Sequence, residues 1–519
     1  MRLELLAQLP IALRSELEKE WRRLEAENKL LSEQLRLLRL KKYGAKSDTL
    51  SDAQLVLLEG EPGVTPEEVQ SEATRSPQEK SLDEELARRE SRKQEHPGRN
   101  AFPANLPRVE EIIPCTGDQC QCAQCGEEKK VIGFEESEEL AMKPIEYFVR
   151  VIKREKRACR HCEEMGVSTA PVPAKIIEKS KASNELIVDV ILKKYCDHQP
   201  LYRQAASLER EAGIELSRAT LCGWVMQTGG FMEALAGAMR KELLEGGYIQ
   251  ADETPIGVQS ERTRGRNHQG YVWEYSRPGG AVVFDFQMGR GRDGPREFLG
   301  NFSGILQCDG YSAYAKIGGV GLRFAGCWAH VRRGFTDALK LAPGETAAQG
   351  IILEIAKLYG VEKEARAEAL PPEKRLELRQ QKSIPLLETI KEKILALKRR
   401  VLPRSAFAKA CDYALGQWPR LTVYTEHGEV EIDNNWCENA IRPLALGRKN
   451  WLHIGSEAAG PRIAAIISVI ETCRRLEINP REYLLDVLPK LPTWPASRVG
   501  ELTPAKWLAA KTAASSQTL

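Results

Sequence analysis

At 519 residues the chain is too long for one hydrophobic core and reads as three or four folding units; its 42% hydrophobic and 29% charged residues are ordinary for a globular protein. The longest apolar run, residues 463–470, is too short to cross a bilayer, and charges at Glu4, Arg14, Glu16 and Glu18 interrupt the N-terminal apolar runs, so neither a membrane span nor a secretory signal is expected. A net charge of +3 averages acidic and basic segments and decides nothing about partners, while 13 cysteines in a chain expected to stay in the cytoplasm read as reduced thiols or metal ligands.

Residues 1–58 read as an N-terminal helical region. Within it, Leu17, Leu24, Leu31 and Leu38 recur at heptad spacing, and Trp21, Asn28 and Leu35 fill the alternate core positions, the pattern of a coiled coil over 11–42. The alternative is one amphipathic helix packed on its own chain. Residues 59–111, rich in Glu, Ser and Arg and broken by Pro62, Pro66, Pro77, Pro97, Pro103 and Pro107, read as a flexible linker.

Residues 112–170 carry Cys122-x-x-Cys125-Gly and Cys159-x-x-Cys162. Each pair can grip one side of a tetrahedral ion, and thiolates select zinc; four protein ligands close the site and make it structural. Cys115, Cys120 and His161 compete as ligands, and unrelated reduced thiols are the plainer reading. Lys153, Arg154, Lys156, Arg157 and Arg160 form a basic stripe suited to phosphates.

Residues 171–246 show helical patterns from Asn184 to Leu244. A helix over Leu201–Glu211, a turn at Gly213 and a second helix opening after Ser217 give a helix-turn-helix candidate. Leu221, Trp224 and Val225 form the buried stripe of the second helix, leaving Arg218, Cys222 and Gln227 to face a major groove; a packed helix pair without DNA contact fits equally.

From Gly247 the character changes to short β-rich runs, YIQADE, GYVWEYS, AVVFDFQ and GILQCDG. Asp252 is expected just past the first of these strands and Asp309 at the end of the last, with Glu438 at the start of a helix. Acids delivered at neighbouring strand ends and on a helix can converge, and such hard oxygens suit Mg²⁺ or Mn²⁺. Asp433, Glu253 and Asp285 are rival acids, and each acid also has a bland reading as a turn former or, for Glu438, as a helical partner of Arg442. Residues 345–420 return to a charged helical pattern, with Pro371-Pro372, Pro385 and Pro403 as breaks. Residues 457–519 form a C-terminal helical region whose tail beyond about 510 is expected to be disordered.

These blocks resemble the insertion sequence 66 family of transposases along nearly the whole chain. LRLKKYGAKSD at 38–48, HPGRNAFPANLPR at 96–108, KKYCDHQPLYRQ at 193–204, ADETP, CDGYSAY, GCWAHVRRGF at 326–335 and DNNWCENAIRPLALGRKNWLHIGS at 433–456 carry the likeness in order. The resemblance implies an α+β multidomain protein whose ribonuclease H-like mixed-sheet catalytic core, residues 247–456 with a helical insertion at about 345–420, follows the coiled coil, zinc module and helix-turn-helix-like domain. It assigns a DDE triad to Asp252, Asp309 and Glu438 as catalytic residues and magnesium ligands. His330 and Arg332 fall in its CWAH-x-RR block, with DNA contact and core support both open as roles. Arg448 and Lys449, beside Trp451, suit phosphate contact near the site.

The expected function is that of a transposase. It would bind double-stranded DNA at element ends and target, cleave and join strands with a divalent metal, oligomerise through the coiled coil, work beside small accessory proteins of the element, and associate with the nucleoid. The competing readings are a non-enzymatic DNA-binding regulator and a nuclease that hydrolyses without joining.

Overall fold

The computed structural model describes residues 147–158, 167–169, 171, 173–178, 180–260, 266–314, 317–341 and 346–517. The coiled coil, the linker and Cys115, Cys120, Cys122, Cys125, Cys159, His161 and Cys162 lie outside them. Two compact units divide the chain. Of the unit Arg75–Glu155, residues 147–155 are described, without regular secondary structure.

Among the described residues of the other unit, the first elements are an antiparallel strand pair, β1 (Lys156–Ala158) and β2 (Val167–Thr169). Helix α1 (Asn184–Tyr195) starts where the Ser183 hydroxyl accepts the Leu186 N–H, and it ends on Lys193 and Lys194, which complement the helix dipole. Helix α2 (Leu201–Ala212) stops at Gly213, whose φ of 63° is left-handed and costs least for glycine. Ser217 then caps α3 (Arg218–Leu244), so the turn and second helix stand where the sequence places them. Leu221, Trp224 and Val225 are buried, and Arg218, Cys222 and Gln227 are exposed, as expected. The second helix is longer than a recognition helix needs, and its C-terminal half buries Met232, Leu235, Met239 and Leu243 in the core.

Strands β3 (Tyr248–Val258), β4 (His268–Ser276) and β5 (Val282–Gln287) form an antiparallel meander. After the short helix α4 (Asp293–Leu299), β6 (Ile305–Gln307) pairs parallel to β3, and β7 (Arg323–Ala325) parallel to β6, giving the order β5-β4-β3-β6-β7. Asp252 is therefore not past its strand but inside β3. The run continues through Thr254 and Pro255 because β4 pairs along its whole length, a non-local cause that local breaker signals cannot register.

A helical layer follows: α5 (Trp328–Leu341), α6 (Thr346–Ala367), α7 (Pro372–Lys398) and α8 (Ala406–Leu421). Pro371-Pro372 starts α7 as expected, but Pro385 does not break it; burial of Leu387, Ile390 and Ile394 beyond the proline outweighs the lost hydrogen bond. Helix α9 (Asn435–Trp451) leads to β8 (His453–Ile454), which pairs with the far end of β3. Then come α10 (Ala459–Arg475), α11 (Pro480–Val487) and α12 (Pro504–Gln517). The tail is thus helical, not disordered, to Gln517. Pro504 opens the helix, Trp507 stacks edge-on against Tyr483 and donates to Asp486, and Lys511 pairs with Glu482.

Side chains alternate across the sheet. Ile249, Ala251 and Leu306 join the core built with α1, α3 and α10, while Tyr248, Ile305 and Ala325 join the core of α5–α8. Edge strand β5 is closed by α10: the Val282 and Phe284 N–H groups donate to the Thr472 and Ser468 hydroxyls at 2.9 and 2.8 Å. Among the described residues no helix is long and apolar enough to cross a membrane.

Candidate active site

Register brings the two aspartates together. Gln250 of β3 pairs with Gln307 of β6 in parallel, and each is followed two residues later by an acid, Asp252 and Asp309. Asp252 continues along β3 while Asp309 lies two residues past the end of β6, so equal offsets from one paired position bring both acids to the same end of the strand pair. Both glutamines are fully buried, and their amides carry the support of the site. Gln250 Nε2 donates to Gln307 Oε1 and to the Asp433 carbonyl, each at 2.9 Å; Gln307 Nε2 donates to the Gly326 and Glu431 carbonyls, each at 2.8 Å. The strands thereby hold the segment that leads into α9.

That segment is fixed further at its turn. Asn434 Nδ2 donates to the Ala251 carbonyl at 3.1 Å, one residue before Asp252. Asp433 accepts from Tyr359 Oη at 2.9 Å and from the Asn435 N–H at 3.1 Å. The first turn of α9 then presents Glu438. Beyond β6 the chain turns at Gly310, whose φ of 88° suits glycine, while Asp309 Oδ1 accepts the Tyr311 N–H at 2.8 Å.

The acids act on one another electrostatically. Asp252 is held well above the usual carboxylate range, first by burial, then by the charges of Glu438, Glu253 and Asp309. Glu253 is also raised by burial, against the opposing pull of Arg290, which donates to it at 2.8 Å. Among the described residues neither Asp252 nor Asp309 forms an ion pair with a lysine or arginine. Hard oxygens with uncompensated charge are a donor set that fits a divalent cation such as Mg²⁺.

Glu438 is turned towards α5. Arg333 Nη2 stands 3.1 Å from one carboxylate oxygen and His330 Nδ1 stands 3.7 Å from the other. Cys327 completes this cluster. Among the described residues, Cys327, His330 and Glu438 are the one trio of such side chains whose ligand atoms lie within 4.8 Å of one another, and the two aspartates are not in it. Burial lowers the His330 pKa, with the Glu438 charge opposing.

The other sequence candidates are scattered. Asp433 is a buried bracket, its pKa raised to about 6 by burial. Asp285 lies on β5 with Gln287 donating to it. Arg332 is half-buried on α5, Lys449 is exposed, and Arg218 and Gln227 lie on the exposed side of α3. Arg448 ties α9 to β3, donating to Thr254 Oγ1 at 2.7 Å and to the Pro255 carbonyl. Sequence reasoning missed Arg333, the glutamine pair and Cys327. The repeated Gln-x-Asp of YIQADE and ILQCDG was the available signal for the glutamines.

The sequence pattern described as Transposase IS66 family matches residues 179–462. The IS66 C-terminal element matches 468–505, the zinc-finger binding domain of transposase IS66 matches 119–163, and the pattern described as Transposase C of IS166 homeodomain matches 30–110. Two similar chains come from Sinorhizobium fredii (strain NBRC 101917 / NGR234). Uncharacterized protein y4qI is 35% identical over 424 residues, covering 78% of this chain and 77% of its own length. Uncharacterized protein y4jD is 32% identical over 405 residues, covering 75% and 78%.

Proposed function

The chain belongs to the IS66 family of transposases, and on that premise we propose that it binds the ends of its element and catalyses divalent-metal-dependent DNA strand cleavage and strand transfer with Asp252, Asp309 and Glu438. The observation that carries this reading is the Gln250–Gln307 pairing, from which Asp252 and Asp309 lie at equal offsets along their chains, while the same amides hold the lead into the helix of Glu438. The sheet order supports a ribonuclease H-like core: an antiparallel meander extended at its first strand by β6 and then β7, each parallel to its neighbour.

Asp252 and Asp309 hold the metal most directly and Glu438 completes the set. Bound there, Mg²⁺ or Mn²⁺ supplies activation of a water or 3′-hydroxyl and charge stabilisation of the leaving oxygen. The chain's own work is placement. The glutamine amides and Asn434 fix the backbone beside Asp252, and Arg333 neutralises and orients Glu438. Arg218 and Gln227 on α3, with Arg332, Arg448 and Lys449, are the proposed DNA contacts. Cys122, Cys125, Cys159 and Cys162 hold a structural zinc ion, and the N-terminal coiled coil pairs chains in the active oligomer.

The test is Asp252→Asn, which keeps size and hydrogen bonding but removes the charge. Mg²⁺-dependent cleavage and joining of terminal-repeat DNA should be abolished, with binding to the same DNA retained. Cleavage at the native rate would overturn the assignment, and native cleavage without joined products would leave a nuclease.

A further inference from the structure

Outside the aspartate pair, the starts of two helices meet in a second cluster of ligand-type side chains. Cys327 immediately precedes α5 and His330 lies in its first turn, a spacing that turns both side chains to one side of the helix start. Glu438 arrives from the first turn of α9. The two helix starts are bound to each other: the Asn434 N–H donates to Cys327 Sγ at 3.3 Å, and the Trp328 N–H donates to the Ile432 carbonyl at 3.2 Å. The three ligand atoms lie within 4.8 Å of one another.

Two of these atoms are unexplained by the fold. His330 Nδ1 and Glu438 Oε1 are buried without a hydrogen-bond partner, and they face each other at 3.7 Å. That is too long for a hydrogen bond. It is close to the separation of two ligands sharing one tetrahedral ion, about 3.3 Å for nitrogen and oxygen each about 2 Å from the metal. Arg333 engages the other carboxylate oxygen, Oε2, so Oε1 is left to act as a ligand.

We propose that Cys327, His330 and Glu438 form a second metal site, selective for a thiophilic divalent cation such as zinc and sharing Glu438 with the acidic triad. A thiolate and an imidazole favour zinc, whereas Asp252 and Asp309 offer only hard oxygens. The thiolate and carboxylate together balance a doubly charged ion, and Arg333 orients the carboxylate from outside. Binding releases the Cys327 proton to solvent and changes no oxidation state. The inference rests on Glu438 being the third acid of the proposed active site. Zinc and magnesium then draw on one carboxylate, and a zinc ion at Cys327 and His330 withholds Glu438 from the aspartates.

The test uses the full chain, stripped with a thiol-preferring chelator, equilibrated with zinc in excess Mg²⁺, and assayed for bound zinc per chain. The cysteine-rich module contributes equally in every sample. The native chain should retain one more equivalent than Cys327→Ser, His330→Gln or Glu438→Gln, each checked for native circular dichroism. The last two replace partly exposed side chains and carry the test if the buried serine disturbs folding. Equal zinc in the native chain and the folded variants overturns the proposal. Mg²⁺-dependent cleavage by the stripped native chain and by Glu438→Gln separates the two readings. If Glu438 is needed for cleavage but zinc counts are equal, only the second site falls. If cleavage ignores Glu438, the triad falls, and with it the sharing of that carboxylate.

Discussion

Glu274 offers a quantitative test of how the sheet holds the helix of Glu438. It lies on β4 directly opposite Asp252, is fully buried, and receives the thiol of Cys437, the residue before Glu438. Its other oxygen has no hydrogen-bond partner. Burial raises its pKa from 4.5 to about 7, with Arg475 and the Cys437 thiol opposing. The fold therefore prefers the protonated acid. Its contribution to stability is fully present below pH 4.5 and is lost as pH rises through about 7. At about 1.4 kcal/mol per tenfold change in proton affinity, the loss is roughly 3 kcal/mol. Glu274→Gln keeps the shape and an acceptor for the thiol but cannot ionise. Hydrogen exchange of the β4 amides, corrected for intrinsic rates, reads the opening free energy of this region in a chain too large for a single unfolding transition. Native and variant chains should be equally protected at about pH 4, and the variant better protected by roughly 3 kcal/mol at about pH 8. Asp433, raised to about 6, titrates in both, so the difference isolates Glu274. Identical pH dependence in the two chains would refute the buried-acid argument.

Two further substitutions probe packing around the site. At Gly460 an added Cβ would stand 2.1 to 2.4 Å from ring atoms of Phe286, so Gly460→Ala should cost about 1–3 kcal/mol in the exchange of β5 amides, with Phe286→Leu restoring part of it. Arg379 is fully buried, donating to both oxygens of Glu362 at 2.7 and 2.8 Å and to the Tyr424 carbonyl at 2.8 Å. Arg379→Leu strands part of that charge and should destabilise the α6–α7 pair by about 3–5 kcal/mol, seen as faster hydrogen exchange of the α6 and α7 amides; unchanged exchange would mean that Arg375 alone suffices.

Where local chemistry decides, the sequence was readable. Gly213 and Ser217 punctuate the α2–α3 turn, and the runs that became β3 to β6 carry their own β-branched and aromatic residues. Strands β7 and β8 were invisible because Arg323–Ala325 and His453–Ile454 sit in no β-rich apolar run; their partners β6 and β3 create them. The same dependence on distant packing explains the continuation of β3 past Asp252 and of α7 through Pro385. At the site, acids could be named, but their supports could not. Arg332 and Arg333 are neighbours on α5, and only the approach of α9 decides that Arg333 reaches Glu438.

These supports bear on how the site could work. The start of α9 is tied to the sheet through Gln250, Gln307 and Asn434, to α6 through Tyr359, and to the start of α5 through Cys327. With so many buried bonds on Glu431–Asn434, the backbone that carries Glu438 has little freedom, and adjustment falls to its side chain. On one side stand Arg333 and His330; on the other stands Asp252, whose raised pKa already registers the Glu438 charge. The carboxylate that closes the proposed active site is therefore the one acid of the three whose engagement the α5 residues can set, without rebuilding the sheet that aligns the other two.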